Sequence, residues 1–354
     1  LACTRAGPVR HRVPCGAVIV TMGRGCLSAG YTSGRSCRSG GYTGVRELSA
    51  ITRWHFLKCR VALAAGCVLW PQWIRAGARP LIRKAIPVSG EQLPVIGMGS
   101  SRTFDAGDNA AVRAQLAPVL QAFFDQGGAL IDSSPMYGSA EQVLGDLLKT
   151  TSNKDSLFAA TKVWTDGRQA GIEQMQRSMQ RMGVKRFDLM QIHNLRDWQV
   201  HLDTLRAWKE QGRIRYLGIT TSHGRYHEEL ETILDLEPLD FVQFSYNIAD
   251  RQVENRLLPL AAERGTAVLI NRPYQRGALF RAVQGVALPE WASEIDCASW
   301  GQFFLKFIVS HPAVTCTIPA TSKLHHMLDN LAAGFGRLPD ASQRERMLAY
   351  FKGL

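Results

Sequence analysis

Four side chains in this 354-residue chain have the types and spacing needed to deliver a proton to an oxygen. Asp132 ends an apolar run in Ile131-Asp132-Ser133-Ser134-Pro135-Met136-Tyr137-Gly138, with Tyr137 in the loop that follows. Lys162 lies in Ala160-Thr161-Lys162-Val163, and His193 ends Leu189-Met190-Gln191-Ile192-His193. A phenol has a pKa of about 10, too high for easy proton transfer near neutrality. A lysine ammonium beside it stabilises the phenolate and lowers that pKa. The ammonium is itself costly to bury, and an aspartate can pair with it. An imidazole N–H can orient an oxygen on which charge develops. On this reading Tyr137 is the general acid, Lys162 and Asp132 tune it, and His193 orients the acceptor.

Each residue alone also has a plainer role. A Lys–Asp pair between neighbouring strands can be structural, a loop tyrosine usually packs with its hydroxyl wet, and a histidine after an apolar strand is often a rim residue. Their joint appearance on three successive strands favours chemistry. Two rivals stay open: a lyase using Lys162 as a Schiff base, and a binding or regulatory protein with little turnover.

The positioning elements are legible from about residue 93. Short apolar, β-rich runs alternate there with stretches of helical period. The predicted strands are 94–98, 129–133, 157–163, 187–193, 214–220, 241–246, 267–271 and 315–319. Most are continuously apolar, as parallel strands covered on both faces must be. Ser139, with Gln142 three residues on, predicts a capped helix carrying Val143, Leu144, Leu147 and Leu148. Gly212 and Gly265 predict helix ends. Eight βα units in this length imply an α/β fold of the (β/α)8 TIM-barrel type, with reactive groups at the C-terminal strand ends. No G-x-G-x-x-G follows the first strand, which disfavours a doubly wound sheet. Residues 81–86 and 92–96 flank Pro87-Val88-Ser89-Gly90 and read as a short β-hairpin capping the barrel floor.

Charge separates the chain into parts. The net +12 comes from residues 1–90, which carry 14 Lys or Arg against the single acid Glu47. Residues 91–354 hold 28 bases against 29 acids, so the barrel offers no basic groove and a nucleic-acid partner is excluded. Six of the eight cysteines fall within the first 67 residues. No zinc-like spacing appears, so no metal site is expected. Residues 1–48, rich in Gly, Arg, Ser and Cys, read as a disordered or mis-started segment. Residues 49–78 resemble an export signal. Thr52-Arg53-Trp54-His55-Phe56-Leu57-Lys58 is similar to the twin-arginine motif, with Trp54 at the second arginine, and Ala76-Gly77-Ala78 suits a signal peptidase. The apolar run 61–70 is too short to span a bilayer, so no stable membrane insertion is expected. A periplasmic or exported location follows from the signal, and a cytoplasmic one without it.

The ordered set Asp132, Tyr137, Lys162 and His193 resembles the catalytic tetrad of the aldo-keto reductase superfamily. Further landmarks are Gly212-Arg213-Ile214-Arg215-Tyr216-Leu217-Gly218, Gln243 and Ile318-Pro319-Ala320. The resemblance covers residues 80–335, and Asn271-Arg272-Pro273-Tyr274 with the export-like leader is similar to a bacterial exported branch. It implies a domain over residues 79–354 that reduces a small-molecule carbonyl by hydride transfer from a nicotinamide dinucleotide across the barrel mouth. Thr220 and Thr221 match the family's Ser-Asn pair and, with Gln243, would hold the carboxamide. Asn271 stands where the family has a stacking aromatic, and Arg272 and Arg276 would meet the pyrophosphate. Ala320 and His326 replace a Lys and an Arg of NADP-preferring relatives, leaving Thr321, Lys323 and Asn330 for the adenosine phosphate. NADPH is the family's default, and NADH is possible here. The loop 100–104, Trp164 and the C-terminal segment would shape the substrate pocket.

Overall fold

The computed structural model describes residues 80–354, so the readings of segments 1–48 and 49–78 lie outside the described residues. The chain begins there with the hairpin β1 (Arg83–Ala85) and β2 (Gln92–Pro94), antiparallel with Lys84 opposite Leu93. Its strands are shorter than predicted: the Val95 N–H still donates to the Ile82 carbonyl at 3.1 Å, but the Ile82 N–H turns away to the Gly334 carbonyl at 2.8 Å. The expected place on the floor is correct. Ile86 and Leu93 pack with Leu130, Phe158, Leu189, Phe241 and Leu269, the inward side chains at the bottom of the barrel. Burying a large aliphatic or aromatic side chain in this way contributes about 1.5–3 kcal/mol.

Eight parallel strands follow: β3 (Met98–Gly99), β4 (Leu130–Asp132), β5 (Phe158–Val163), β6 (Phe187–His193), β7 (Ile214–Thr220), β8 (Phe241–Ser245), β9 (Ala267–Asn271) and β10 (Cys316–Thr317). Each pairs with the next in sequence. Parallel bridges Ile96–Thr317 and Gly99–Ala320 close β10 onto the first strand, making the predicted (β/α)8 barrel. The two seam strands are the shortest, against the expected 94–98 and 315–319. Close approach explains Gly99, where a Cβ would stand 2.8 Å from the Ile318 carbonyl oxygen. Pro319 lacks a donor and ends the other side.

The covering helices are α1 (Ala110–Asp125), α2 (Ala140–Leu148), α3 (Arg168–Met182), α4 (Trp198–Glu210), α5 (His227–Leu236), α6 (Leu257–Glu263), α7 (Ala278–Ala282), α8 (Trp300–Val309), α9 (Leu324–Ala332) and α10 (Ala341–Lys352). Their apolar stripes and the outward strand residues form the larger core. One predicted device is absent. Ser139 makes no side-chain cap on α2; its hydroxyl donates to Asp105 at 2.8 Å, and Gln142 turns to Asp146 at 3.2 Å. A carboxylate is the stronger acceptor, so the loop after β3 captures the cap residue. α10 packs on the barrel, with Arg344 donating to the Tyr246 hydroxyl at 2.8 Å. Its Tyr350 stacks 6.3 Å from Trp300. Among the described residues no helix is long and apolar enough to cross a membrane, and no group of His, Cys, Asp or Glu could hold a metal ion.

Candidate active site

Strand register sets the site. β5 and β6 place Lys162 beside Gln191, β6 and β7 place His193 beside Thr220, and β7 and β8 place Thr220 beside Gln243. Side chains two apart on a strand share a face, so Gln191 and His193 both point inward. A cavity of about 1010 Å³ opens over these strand ends, lined by Asp132, Tyr137, His193, Thr220, Thr221 and Gln243 among others.

Lys162 is fully buried and donates to Asp132 at 2.5 Å and to the Ser133 carbonyl at 2.8 Å. Burial opposes its charge, but the Asp132 carboxylate and Tyr137 outweigh it and hold the ammonium above its ordinary pKa. Asp132 also accepts from Gln191 at 2.9 Å and Gln243 at 3.2 Å, so its buried charge is satisfied on both oxygens. The Lys162 nitrogen stands 5.2 Å from the Tyr137 ring centroid. The net direction for Tyr137 corrects the sequence expectation. Burial raises the phenol above its usual value, and the Lys162 charge opposes that rise without reversing it. The hydroxyl is therefore protonated across the neutral range.

His193 meets Tyr137 edge to face, with ring centroids 5.8 Å apart. Its Nδ1 lies 3.0 Å from the Ser134 hydroxyl. Burial, helped by the Lys162 charge, lowers its pKa to about 3, so the imidazole is neutral. Trp164 sits behind it at 6.4 Å with Arg196 over its ring, and it is not part of the cavity wall.

Of the residues assigned to a cofactor, Gln243 and Asn271 already have partners. The Asn271 amide donates to the Thr221 carbonyl at 2.9 Å and to Gln243 at 3.3 Å, and its oxygen accepts from Ser245 at 2.7 Å. Thr220 accepts from the Asn194 N–H at 3.3 Å. Thr221 is different: the residue lines the cavity, while its hydroxyl oxygen is buried and has no partner among the described residues. Thr321 and Asn330 line the far end, where Asn330 accepts from Tyr274 at 2.6 Å. Lys323 is exposed and outside the wall, although its backbone N–H donates to Thr321 at 3.1 Å.

Several wall residues had no cofactor role in the sequence reading, although Arg102 lies in the loop 100–104 expected to shape the pocket. Arg102 and Arg225 join Arg272 and Arg276 at the rim, and none of the four forms an ion pair with a described residue. Arg272 contacts His223; burial and the neighbouring guanidiniums hold both below their ordinary pKa values. Tyr274, Phe280 and Trp300 make an aromatic stretch of wall, the first two 4.8 Å apart. Position just after a strand was the available signal for Arg102 and Arg225. Nothing in the sequence marked the aromatics as neighbours.

A barrel with this site belongs to a known class. The chain is a member of the aldo/keto reductase family, whose model matches residues 95–345, and is therefore an oxidoreductase of that type. A methylglyoxal reductase of Escherichia coli is 28% identical over 259 residues, covering 71% of this chain and 89% of that protein. An NADH-specific methylglyoxal reductase of the same organism is 27% identical over 42% of this chain and 53% of its own length. The solved aldo-keto reductase of Klebsiella pneumoniae in complex with NADPH superposes with a TM-score of 0.63 at 21% identity, covering 77% of this chain and 95% of that one.

Proposed function

We propose that the protein reduces an aldehyde or ketone to an alcohol with NAD(P)H, with Tyr137 donating the proton. The observation that carries this reading is the convergence in one cavity of a protonated Tyr137, the buried Lys162–Asp132 pair beneath it, and the neutral His193 beside it. A bound nicotinamide dinucleotide supplies the hydride. The residues present suit such a ligand. Thr221 offers a buried hydroxyl in need of a partner, which fits a carboxamide. Arg102, Arg225, Arg272 and Arg276 offer guanidiniums for a pyrophosphate, and Tyr274, Phe280 and Trp300 offer ring faces for a base. Gln243 and Asn271 shape the wall through their own hydrogen bonds. Thr321 and Asn330 remain contacts for the adenosine end, and Lys323 reaches a 2′-phosphate only by swinging in. NADPH and NADH are both compatible with that end, which lacks a fixed cation.

In the reaction Tyr137 and His193 hold the substrate oxygen between one O–H and one N–H donor. As negative charge develops on that oxygen, the Tyr137 proton passes to it. Lys162 stabilises the resulting phenolate, and Asp132 keeps Lys162 charged in a site that excludes water. With His193 neutral down to about pH 3, the reduction rate should show no histidine inflection between about pH 5 and 8. Because the Tyr137 pKa is raised, activity should fall only in alkali, as the phenol loses its proton. A steady-state pH profile with an inflection near 6.5 would contradict this.

The decisive test is Tyr137→Phe, with methylglyoxal among the carbonyls assayed because two relatives carry its name. Loss of NADPH absorbance should slow by about 10³-fold, while fluorescence titration gives an unchanged Kd for NADPH. A wild type that binds NADPH tightly and oxidises none of it with any carbonyl would instead mark a cofactor-binding regulatory protein.

A further inference from the structure

We propose that Ser134 sets the tautomer of His193, keeping its single proton on Nε2 and thereby acting as a positioning residue for the substrate oxygen. Ser134 is fully buried and stands outside the cavity wall, behind the imidazole. Its hydroxyl oxygen accepts from the Met136 N–H at 3.2 Å. Its own proton has one acceptor within reach among the described residues, Nδ1 of His193 at 3.0 Å.

The alternative tautomer fails on hydrogen-bond count. A proton on Nδ1 would point at Ser134 and leave the serine proton with no acceptor in a dry position. An unmet buried donor of this kind biases the balance by about tenfold or more. The ring is neutral, so it carries one proton only, and Ser134 decides where. With Nδ1 accepting, Nε2–H is left to donate. Nε2 has no protein partner and is not among the buried unpartnered atoms, which leaves it facing the cavity beside Tyr137. Ser134 reaches the carbonyl oxygen only through His193. The tautomer stands on the hydrogen-bond geometry around a neutral ring; its catalytic consequence rests on the reductase reading above.

The test is a long-range 1H–15N spectrum of the full chain labelled with 15N-histidine, with His193 assigned by its disappearance in His193→Gln. The wild type should show a protonated Nε2 and a bare Nδ1 at His193. Ser134→Ala should move both nitrogens toward a mixed population and lower kcat about tenfold, less than loss of a direct donor, with the NADPH Kd unchanged. A wild-type His193 protonated on Nδ1, or an unaltered spectrum in Ser134→Ala, overturns the proposal. Should the variant fold poorly, the wild-type spectrum decides alone. A wild type with Nε2–H that reduces no carbonyl supports the tautomer assignment and overturns the reductase reading.

Discussion

The two ends of the barrel solve the same backbone problem differently. Where a turn at the floor needs a left-handed residue, the chain mostly spends a glycine: Gly183 after α3, Gly212 after α4 and Gly265 after α6. At the mouth Gly107, Gly138, Gly167, Gly224 and Gly277 are joined by many left-handed residues that carry side chains. Of the eleven non-glycine residues with positive φ among the described residues, nine follow a strand end: Arg102, Asn194, Leu195, Asp197, His223, Tyr226, Arg272, Gln275 and Arg276. Each such residue costs about 1–2 kcal/mol relative to a relaxed backbone. The same contrast holds for charge. At the floor Arg215 meets Glu91 and Asp188 and the hairpin is tied down; at the mouth Arg196 pairs with Asp166, but Arg102, Arg225, Arg272 and Arg276 have no carboxylate partner among the described residues. The floor is built for stability, and the mouth keeps strain and unpaired charge where a ligand can use them.

The largest break in this contrast is Lys162→Met. It leaves Asp132 buried without its cation, which should cost about 3–5 kcal/mol of stability. Urea denaturation would measure that loss, and reduction should cease with it. A variant of unchanged stability would mean that Asp132 takes up a proton at no cost, and the buried pair would no longer explain the site.

Much of this division was legible in the sequence. Continuous apolar runs gave the strands, and strand-end position gave Asp132, Lys162 and His193, because both signals are local. What was missed depends on closure. The loop 100–104 was expected at the pocket, but Arg102 meets Arg225 on one rim only because the closed barrel brings the two loops together. Ser134 carried no role in the sequence, because only the folded barrel brings His193 beside it from β6. Ser139 matched a helix cap, but Asp105 lay within reach and took its hydroxyl. The direction of the Tyr137 shift depends on burial, which spacing does not reveal. Trp164 was expected to line the pocket, and the loop after β6 instead holds it behind His193 through Arg196.

A middle-sized effect separates strain from use at the rim. Arg272 has φ 53° and no ion pair with a described residue, so Arg272→Gly removes both the strained side chain and a cation. Relief of strain and of repulsion by Arg276 should offset glycine's extra unfolded-state entropy, leaving stability within about 1 kcal/mol of wild type. Affinity for NADPH should fall about tenfold, and less so in high salt, as expected for a lost phosphate contact. Isothermal titration at two salt concentrations reads both. Unchanged affinity would make the rim arginines an accident of the loop.

The smallest effect belongs to the floor. Gly212 has φ 69°, and a Cβ added there meets nothing within 4 Å. Gly212→Ala therefore tests the left-handed backbone without a steric clash. It should lose about 1 kcal/mol on unfolding, the usual penalty for a Cβ in that region, visible as a lower urea midpoint at constant slope. Because Gly212 lies outside the cavity wall, kcat and the NADPH Kd should not move. If activity fell instead, the two ends of the barrel would be mechanically coupled, and strain at the mouth could not be read as a property of the mouth alone.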